Sequence, residues 1–235
     1  RDAHVSDLGA KVLKEAVNRA NIPPDAIQEI IMGNVIQAGT GMNPTRQAAM
    51  KAGLGHDIPS YTVNKVCGSG LKSVALAAQS IRAEDQDIFL VGGMESMSGA
   101  PYLLPKARFG CRLGHNELVD SMIYDGLSCS LNDFIHMGMT AELVVREFGI
   151  SRQDQDAYAA RSHERARNAQ KESLFDQEIV PVEVPQRKGD PVLFAEDEGP
   201  RDGVSVESLG RLSPAFDREG SVTAGNASSI NDGAS

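Results

Sequence analysis

Short apolar stretches alternate with stretches of helical periodicity from the first residues of the chain to about residue 98. The apolar stretches are 29–36, 61–66 and 87–91, and each has the length of a buried strand. The stretches 8–20 and 68–83 have apolar residues at helical spacing, and Ser6 and Asp7 are the candidate caps of the first one. Asn43-Pro44 is a helix cap followed by proline at the first helical position, which predicts a short helix over 44–52. Strands that alternate with helices favour a mostly parallel sheet covered on both faces, so the sequence predicts an α/β fold.

The pattern changes after this alternating region. Residues 99–134 are rich in glycine, proline, methionine and isolated charges, with little periodicity. Helical periodicity returns at 136–148 and 151–171, and a polar loop covers 186–203. We therefore predict an irregular α+β insertion at 99–229, within an α/β domain formed by residues 1–98 and 230–235.

Composition narrows the classes of ligand that the chain can bind. The net charge of −9 makes nucleic acid and anionic membranes poor partners, and no apolar run approaches the roughly 18–20 residues of a membrane-spanning helix. A local basic patch can still bind a phosphorylated ligand, because charges are screened over about 8 Å. The three cysteines form no framework, and the five histidines lack metal-ligand spacing. We therefore expect a protein of a reducing compartment without a metal site.

A cysteine stands where a predicted strand runs directly into a predicted helix. Residues 63–72 read VNKVCGSGLK, so glycines that permit a tight turn follow Cys67. Free N–H groups and the helix dipole favour a thiolate at such a position, and a thiolate can attack a thioester or a carbonyl. Most free cysteines are instead small, inert core residues, so these residues alone leave both roles open. The chain has neither a G-x-x-x-x-G-K-[ST] phosphate loop nor a G-x-S-x-G elbow.

The cysteine segment and four further segments together resemble the thiolase family. The stretch N-K-V-C-G-S-G-L-K-S-V at 64–74 resembles the motif around the cysteine that thiolases acylate. The other segments are G-T-G-M-N-P-T-R-Q-A-A at 39–49, G-G-M-E-S-M-S at 92–98, H-M-G-M-T-A-E at 136–142 and S-V-T-A-G-N-A-S-S-I-N-D-G-A at 221–234. Because these motifs keep their order along the chain, the resemblance favours the reactive role for Cys67.

The resemblance implies a thiolase fold, with two similar α/β halves that each contain a five-stranded sheet and a loop domain inserted in the first half. This chain resembles the first half and its loop domain, and it is expected to end before the histidine and second cysteine that complete the active site. The expected sheet order is 3-2-1-4-5, with the first and last strands missing here. The central strand would then be absent. We therefore expect an open slot between the strands at 29–36 and 87–91, and a chain that aggregates and is inactive alone.

The resemblance also assigns roles to individual residues. Cys67 would carry the acyl group, and its N–H would supply half of an oxyanion hole. The expected coenzyme A contacts are His136 and Met137 at the pantetheine, Ser228 at its amide, Arg201 and Ser208 at the nucleotide end, and Leu127, Phe216 and Ala224 as apolar walls. Ser229 stands where many relatives have glycine, next to the expected pantetheine contact. The coenzyme A thioester is a substrate in this chemistry, so the resemblance implies no cofactor and no metal.

Within the family, the resemblance favours the acetyl-CoA C-acetyltransferase type, which condenses two acetyl-CoA molecules or cleaves acetoacetyl-CoA. The stretch GHNELVDSMIYDGL at 114–127 and the short loops support this type. Two alternatives stay open: a 3-ketoacyl-CoA thiolase of fatty-acid β-oxidation, and a non-catalytic truncated chain that binds coenzyme A or a partner. We expect a homo-oligomer, dimeric or tetrameric, in the cytoplasm, or in mitochondria or peroxisomes of a eukaryote.

Overall fold

A computed structural model describes residues 3–235, which form two compact units. The first, which we call the sheet unit, contains the residues up to 126 together with 182–194 and 231–235. The second, which we call the loop unit, contains 127–181 and 195–230. Each unit has its own secondary structure and its own buried residues.

The helices are α1 (Val5–Ala20), α2 (Pro44–Lys51), α3 (Ser69–Arg82), α4 (Met137–Phe148), α5 (Arg152–Lys171) and α6 (Val206–Leu209). The strands are β1 (Glu29–Gly33), β2 (Ser60–Val63), β3 (Phe89–Ser96), β4 (Tyr102–Leu103), β5 (Val119–Asp120), β6 (Ser128–Cys129), β7 (Ile135–His136), β8 (Val182–Val184), β9 (Val192–Phe194) and β10 (Asp232–Ala234). Short 3₁₀ turns cover Pro24–Ala26 and Met97–Gly99, and a π-helical turn covers Met122–Leu127. The predicted helices and strands are therefore present with shifted ends.

The bounds of the two units differ from the predicted domain boundaries. The stretch 99–126 lies in the sheet unit and not in the insertion that begins at residue 99. Local contacts hold this stretch, among them the pairing of β4 with β5 and the hydrogen bond that Ser121 Oγ donates to Pro101 O at 2.6 Å. At its end, the backbone of Gly126 lies against the side chain of Ile36. The irregular composition of this stretch predicted its lack of long elements but not the unit to which it belongs.

The main sheet contains four strands in the order β10-β3-β1-β2. β1 is parallel to both of its neighbours, and β10 is antiparallel to β3. An α/β fold with a parallel sheet is therefore confirmed. The residues of β1 are almost all buried, because helices cover both faces of the sheet and strands flank both edges of β1.

The strands present follow the predicted order 3-2-4-5, as β2-β1-β3-β10, but the predicted slot in place of the central strand is wrong. Glu29 pairs with Phe89 and Gly33 pairs with Gly93, so β1 and β3 are direct neighbours with no space for a strand between them. The last strand is not missing either, because β10 forms and pairs with β3. An open slot is therefore no cause of aggregation for this chain.

Two helices of the sheet unit, α1 and α2, begin at residues whose side chains accept hydrogen bonds from the first turn. Asn43 Oδ1 accepts from Arg46 N at 3.2 Å, which confirms the predicted cap before Pro44. The predicted caps Ser6 and Asp7 of α1 are wrong, because His4 occupies the cap and both residues lie in the first turn. Asp7 completes this cap by accepting from His4 N at 3.3 Å.

The core of the sheet unit lies between α1, α2 and the sheet. Its fully buried side chains include Leu13 of α1 and Ile30 and Met32 of β1, and Ala48 of α2 packs against them. Burying each of the large side chains stabilises the fold by roughly 1.5–3 kcal/mol. α3, the helix that follows Cys67, packs on the same sheet against β1 and β3.

Candidate active site

Cys67 lies exposed where β2 gives way to α3. The preceding residue, Val66, has a φ of +49°. Left-handed backbone is uncommon for a β-branched residue, and strain of this kind, on the order of 1–3 kcal/mol, concentrates at functional sites. An exposed thiol beside a strained residue therefore marks this junction as the candidate nucleophile site.

Side chains on both sides of Cys67 hold the strained turn. Asn64 Oδ1 accepts from Val66 N at 2.9 Å. Ser69 Oγ accepts from Lys65 N at 2.8 Å and donates to Val66 O at 2.6 Å. The role of Asn64 in this turn was not predicted from the sequence, although an asparagine that accepts from the N–H two residues later is a common turn former. The position of the thiol is thus fixed by the two polar side chains around it.

α3 begins close to the sheet because glycines meet there. A Cβ on Gly33 would lie 2.5 Å from the carbonyl carbon of Ser69 and 2.6 Å from the nitrogen of Gly70, so only glycine fits. Ser73 Oγ donates to Gly92 O of β3 at 2.9 Å. The first turns of α3, and the cysteine before them, are therefore held against β1 and β3.

Glu95, near the end of β3, binds the segment that follows β1. Its carboxylate accepts from the side-chain amide of Asn34 at 2.7 Å and from the N–H groups of Val35 at 2.8 Å and Ile36 at 3.2 Å. Burial raises the pKa of Glu95, and hydrogen bonds from these donors oppose the rise. Asn64 Nδ2 donates to Val35 O at 3.3 Å, so hydrogen bonds connect Glu95 to the turn before the cysteine.

The structure places Cys67 in the sheet unit and every predicted coenzyme A contact in the loop unit. The predicted contacts there are Leu127, His136, Met137, Arg201, Ser208, Phe216, Ala224 and Ser228. Leu127 and His136 are half-buried, and the other six are exposed. All eight thus have surface that a ligand can reach.

His136 and Phe216 are brought together by the fold. Their rings stack with centroids 4.8 Å apart and an angle of 19° between planes. His136 caps α4, since its Nδ1 accepts from Gly138 N at 3.0 Å. Gly138 has no room for a side chain, because a Cβ would lie 2.4 Å from the Phe216 ring. Met137 follows the cap with 39% of its surface exposed.

The two residues predicted at the nucleotide end, Arg201 in a loop and Ser208 in α6, already make contacts within the loop unit. The N–H of Arg201 donates to His163 Nδ1 at 3.1 Å. The next residue, Asp202, accepts from Arg167 Nη2 at 2.8 Å, and this hydrogen bond is the first cause that lowers the pKa of Asp202. Ser208 completes a capping box, because its Oγ accepts from Ser205 N at 2.9 Å. The hydroxyl of Ser208 therefore has a structural partner already.

The geometry of residues 3–235 was searched for groups of metal ligands and for membrane-spanning helices. Within this range, no three His, Cys, Asp or Glu side chains are grouped so that they could hold a metal ion. In the same range, no helix is long and apolar enough to cross a membrane. The three cysteines are free thiols; Cys67 and Cys111 are exposed and Cys129 is half-buried.

Comparisons with known proteins agree on one family. The family model for the thiolase N-terminal domain matches residues 1–235. The probable acetyl-CoA acyltransferase of Staphylococcus aureus strain MSSA476 is 54% identical over 234 residues, and that of strain COL is 53% identical. Each alignment covers 100% of this chain and 59% of the relative. The crystal structure of the Bacillus anthracis acetyl-CoA acetyltransferase superposes with a TM-score of 0.94 at 38% identity, covering 100% of this chain and 58% of that one. This chain therefore spans less than two thirds of the length of these relatives.

Proposed function

The chain belongs to the thiolase family, whose N-terminal-domain model matches residues 1–235, and we propose that it supplies the acyl-carrying cysteine and the coenzyme A site of an acyl-CoA C-acyltransferase. Cys67 is the proposed nucleophile. The observation that carries this proposal is the exposed thiol that follows the strained Val66 at the start of α3. The named relatives, an acetyl-CoA acyltransferase and an acetyl-CoA acetyltransferase, support the same class of reaction.

In the proposed reaction, the thiolate of Cys67 attacks the carbonyl carbon of an acyl-CoA. The bond between that carbon and the coenzyme A sulfur breaks, coenzyme A leaves, and the acyl group remains as a thioester on Cys67. A second acyl-CoA that has lost an α proton then attacks this thioester, forms the carbon–carbon bond and returns the thiolate. The N–H of Cys67 is proposed to stabilise the negative oxygen that forms at the carbonyl carbon. Coenzyme A thioesters are substrates of this reaction, and the proposal needs no further cofactor.

The proposed pantetheine site lies in the loop unit at the start of α4. His136 Nδ1 accepts a hydrogen bond, so a neutral ring carries its proton on Nε2 and can donate it to a pantetheine oxygen. The adjacent Met137 is exposed and gives the site an apolar surface. Ser228 is proposed to bind the pantetheine amide with its exposed hydroxyl.

Substrate length separates the proposed acetoacetyl-CoA type from the two alternatives. We expect the protein that carries this chain to cleave acetoacetyl-CoA with a kcat/KM roughly 10-fold or more above that for a 3-ketodecanoyl-CoA. Thiolysis with free coenzyme A, followed by loss of the 3-ketoacyl absorbance, measures both. A preference for the longer substrate would instead assign the protein to fatty-acid β-oxidation. Binding of coenzyme A without cleavage of either substrate would indicate a non-catalytic binding protein.

The proposed pantetheine contacts predict a change in KM more than in kcat. His136→Ala and Ser228→Ala each remove one hydrogen-bonding group, so we expect each to raise KM for acyl-CoA by roughly 3- to 10-fold. Steady-state kinetics on each variant checks this. An unchanged KM with a collapsed kcat would place these residues in the chemistry and not in binding.

A contrast variant at the proposed nucleotide end controls for general damage to the loop unit. Arg201→Ala is expected to weaken binding of coenzyme A substrates. The loss of affinity should be smaller for a substrate that carries only the pantetheine arm. The His136 and Ser228 variants are expected to lose the same amount of affinity for both substrates. The same loss for all three variants with the shortened substrate contradicts the assignment of Arg201.

A further inference from the structure

Two carboxylates are almost fully buried in the loop unit. Glu142 of α4 and Asp156 of α5 are each 1% exposed. A buried carboxylate is costly unless hydrogen-bond donors surround it. Many of the donors to these two carboxylates come from one loop, residues 221–226. Hydrogen bonds therefore connect this loop to both α4 and α5.

Glu142 binds the start of this loop through its backbone. Its Oε1 accepts from Ser221 N at 2.8 Å and from Val222 N at 2.7 Å, and its Oε2 accepts from Ser221 Oγ at 3.4 Å. A Cβ on Gly220 would lie 2.3 Å from Oε1. The carboxylate thus packs against a backbone on which only glycine leaves it room.

Asp156 binds the other end of the loop through a side chain. Its Oδ1 accepts from Asn226 Nδ2 at 2.9 Å, and its Oδ2 accepts from Arg152 Nε at 2.8 Å. Asn226 Oδ1 in turn accepts from Thr223 N at 2.7 Å. The loop is therefore fixed at both ends, and its conformation depends on two buried acids.

The loop and α4 carry different parts of the proposed coenzyme A site. α4 begins with Met137 directly after His136, and Glu142 lies farther along the same helix. The loop contains Ala224 and leads to Ser228, both of which are exposed. We propose that Glu142 is a positioning residue for acyl-CoA binding, because it fixes the loop to the helix that presents His136. This inference rests on the proposed function and extends it to a residue that does not touch the ligand.

Two substitutions disturb the same contact by different means. Glu142→Gln keeps the size of the side chain but places an amide near two N–H donors. Gly220→Ala leaves the acid intact and forces it away from the loop. We expect each to weaken binding of coenzyme A on the order of 10-fold, measured by calorimetry, with kcat changed much less. The double variant should bind coenzyme A no more weakly than the single variant with the lower affinity, because both substitutions disrupt the same contact between Glu142 and the loop.

Glu147→Gln is the matched control, since Glu147 is an exposed acid on the same helix, and it should bind like the wild type. If the wild type does not bind coenzyme A, the proposed function and this inference both fail. If the wild type binds and both Glu142→Gln and Gly220→Ala bind equally well, only this inference fails. A fall in melting temperature with unchanged affinity also overturns it, by showing a purely structural role. Should Glu142→Gln not fold, Gly220→Ala decides by the same criteria, and if it fails to fold as well the positioning role is rejected.

Discussion

Replacing Cys67 by alanine is expected to abolish acyl transfer and acyl labelling in the protein that carries this chain. The acyl group has no other attachment point in the proposed reaction, so we expect turnover to fall by roughly 10⁴- to 10⁶-fold. Incubation with radiolabelled acetyl-CoA, followed by denaturation and counting, measures the covalent intermediate directly. Thiolysis of acetoacetyl-CoA measures turnover on the same samples.

Cys111→Ala is the matched control for this experiment, because Cys111 is also an exposed free thiol. We expect it to keep both the label and the turnover of the wild type. Equal labelling of wild type and Cys67→Ala would exclude Cys67 as the nucleophile. Loss of label in Cys111→Ala alone would move the acyl group to the other exposed cysteine.

Local periodicity predicted the helices because each buries one face. In α1, Leu13 and Val17 lie one turn apart and are both buried. Such spacing is visible in any short window of sequence. The first residue of a helix is harder to predict, since His4 competes with Ser6 and Asp7 for the same role and only the backbone decides.

The direct pairing of β1 with β3 was not predictable in the same way. β1 lies between β2 and β3, and its run of Ile30, Ile31 and Met32 is buried on both faces. A strand buried on both faces has no alternation that distinguishes one neighbour from another. The direct pairing of β1 with β3 joins residues about 60 positions apart. It depends on long-range packing that no local motif contains.

The site was predicted by motif and its supports were not. The segment around Cys67 marked the candidate nucleophile, but the left-handed Val66 has no side-chain signal of its own. Glu142 is likewise hidden, because an acid in an amphipathic helix reads as a solvated residue. It is buried only because a loop about 80 residues later donates two N–H groups to it.

Gly33→Ala is expected to be the most damaging substitution after replacement of the proposed nucleophile. The new Cβ would lie 2.5 Å from the carbonyl carbon of Ser69 and 2.6 Å from the nitrogen of Gly70, and both are backbone atoms that cannot rotate away. Overpacking of this kind costs about 3 kcal/mol, which corresponds to a fall in melting temperature of roughly 6–12 °C. A shift of α3 away from β1 also moves Cys67. Since a misplacement of about 1 Å can cost 10²-fold in rate, turnover should fall even in the fraction that stays folded.

Gly233→Ala separates this steric effect from the general cost of replacing a glycine in the sheet. Gly233 lies in β10, and a Cβ there would meet no atom within 4 Å. We expect this control to melt and react like the wild type, while Gly33→Ala loses both stability and acyl labelling. Differential scanning calorimetry measures the melting temperature of each variant. Acetyl labelling at a temperature below both transitions then measures whether Cys67 is displaced in the folded protein. If Gly33→Ala melts normally and acylates at the wild-type rate, the close contact between β1 and the start of α3 does not position the nucleophile.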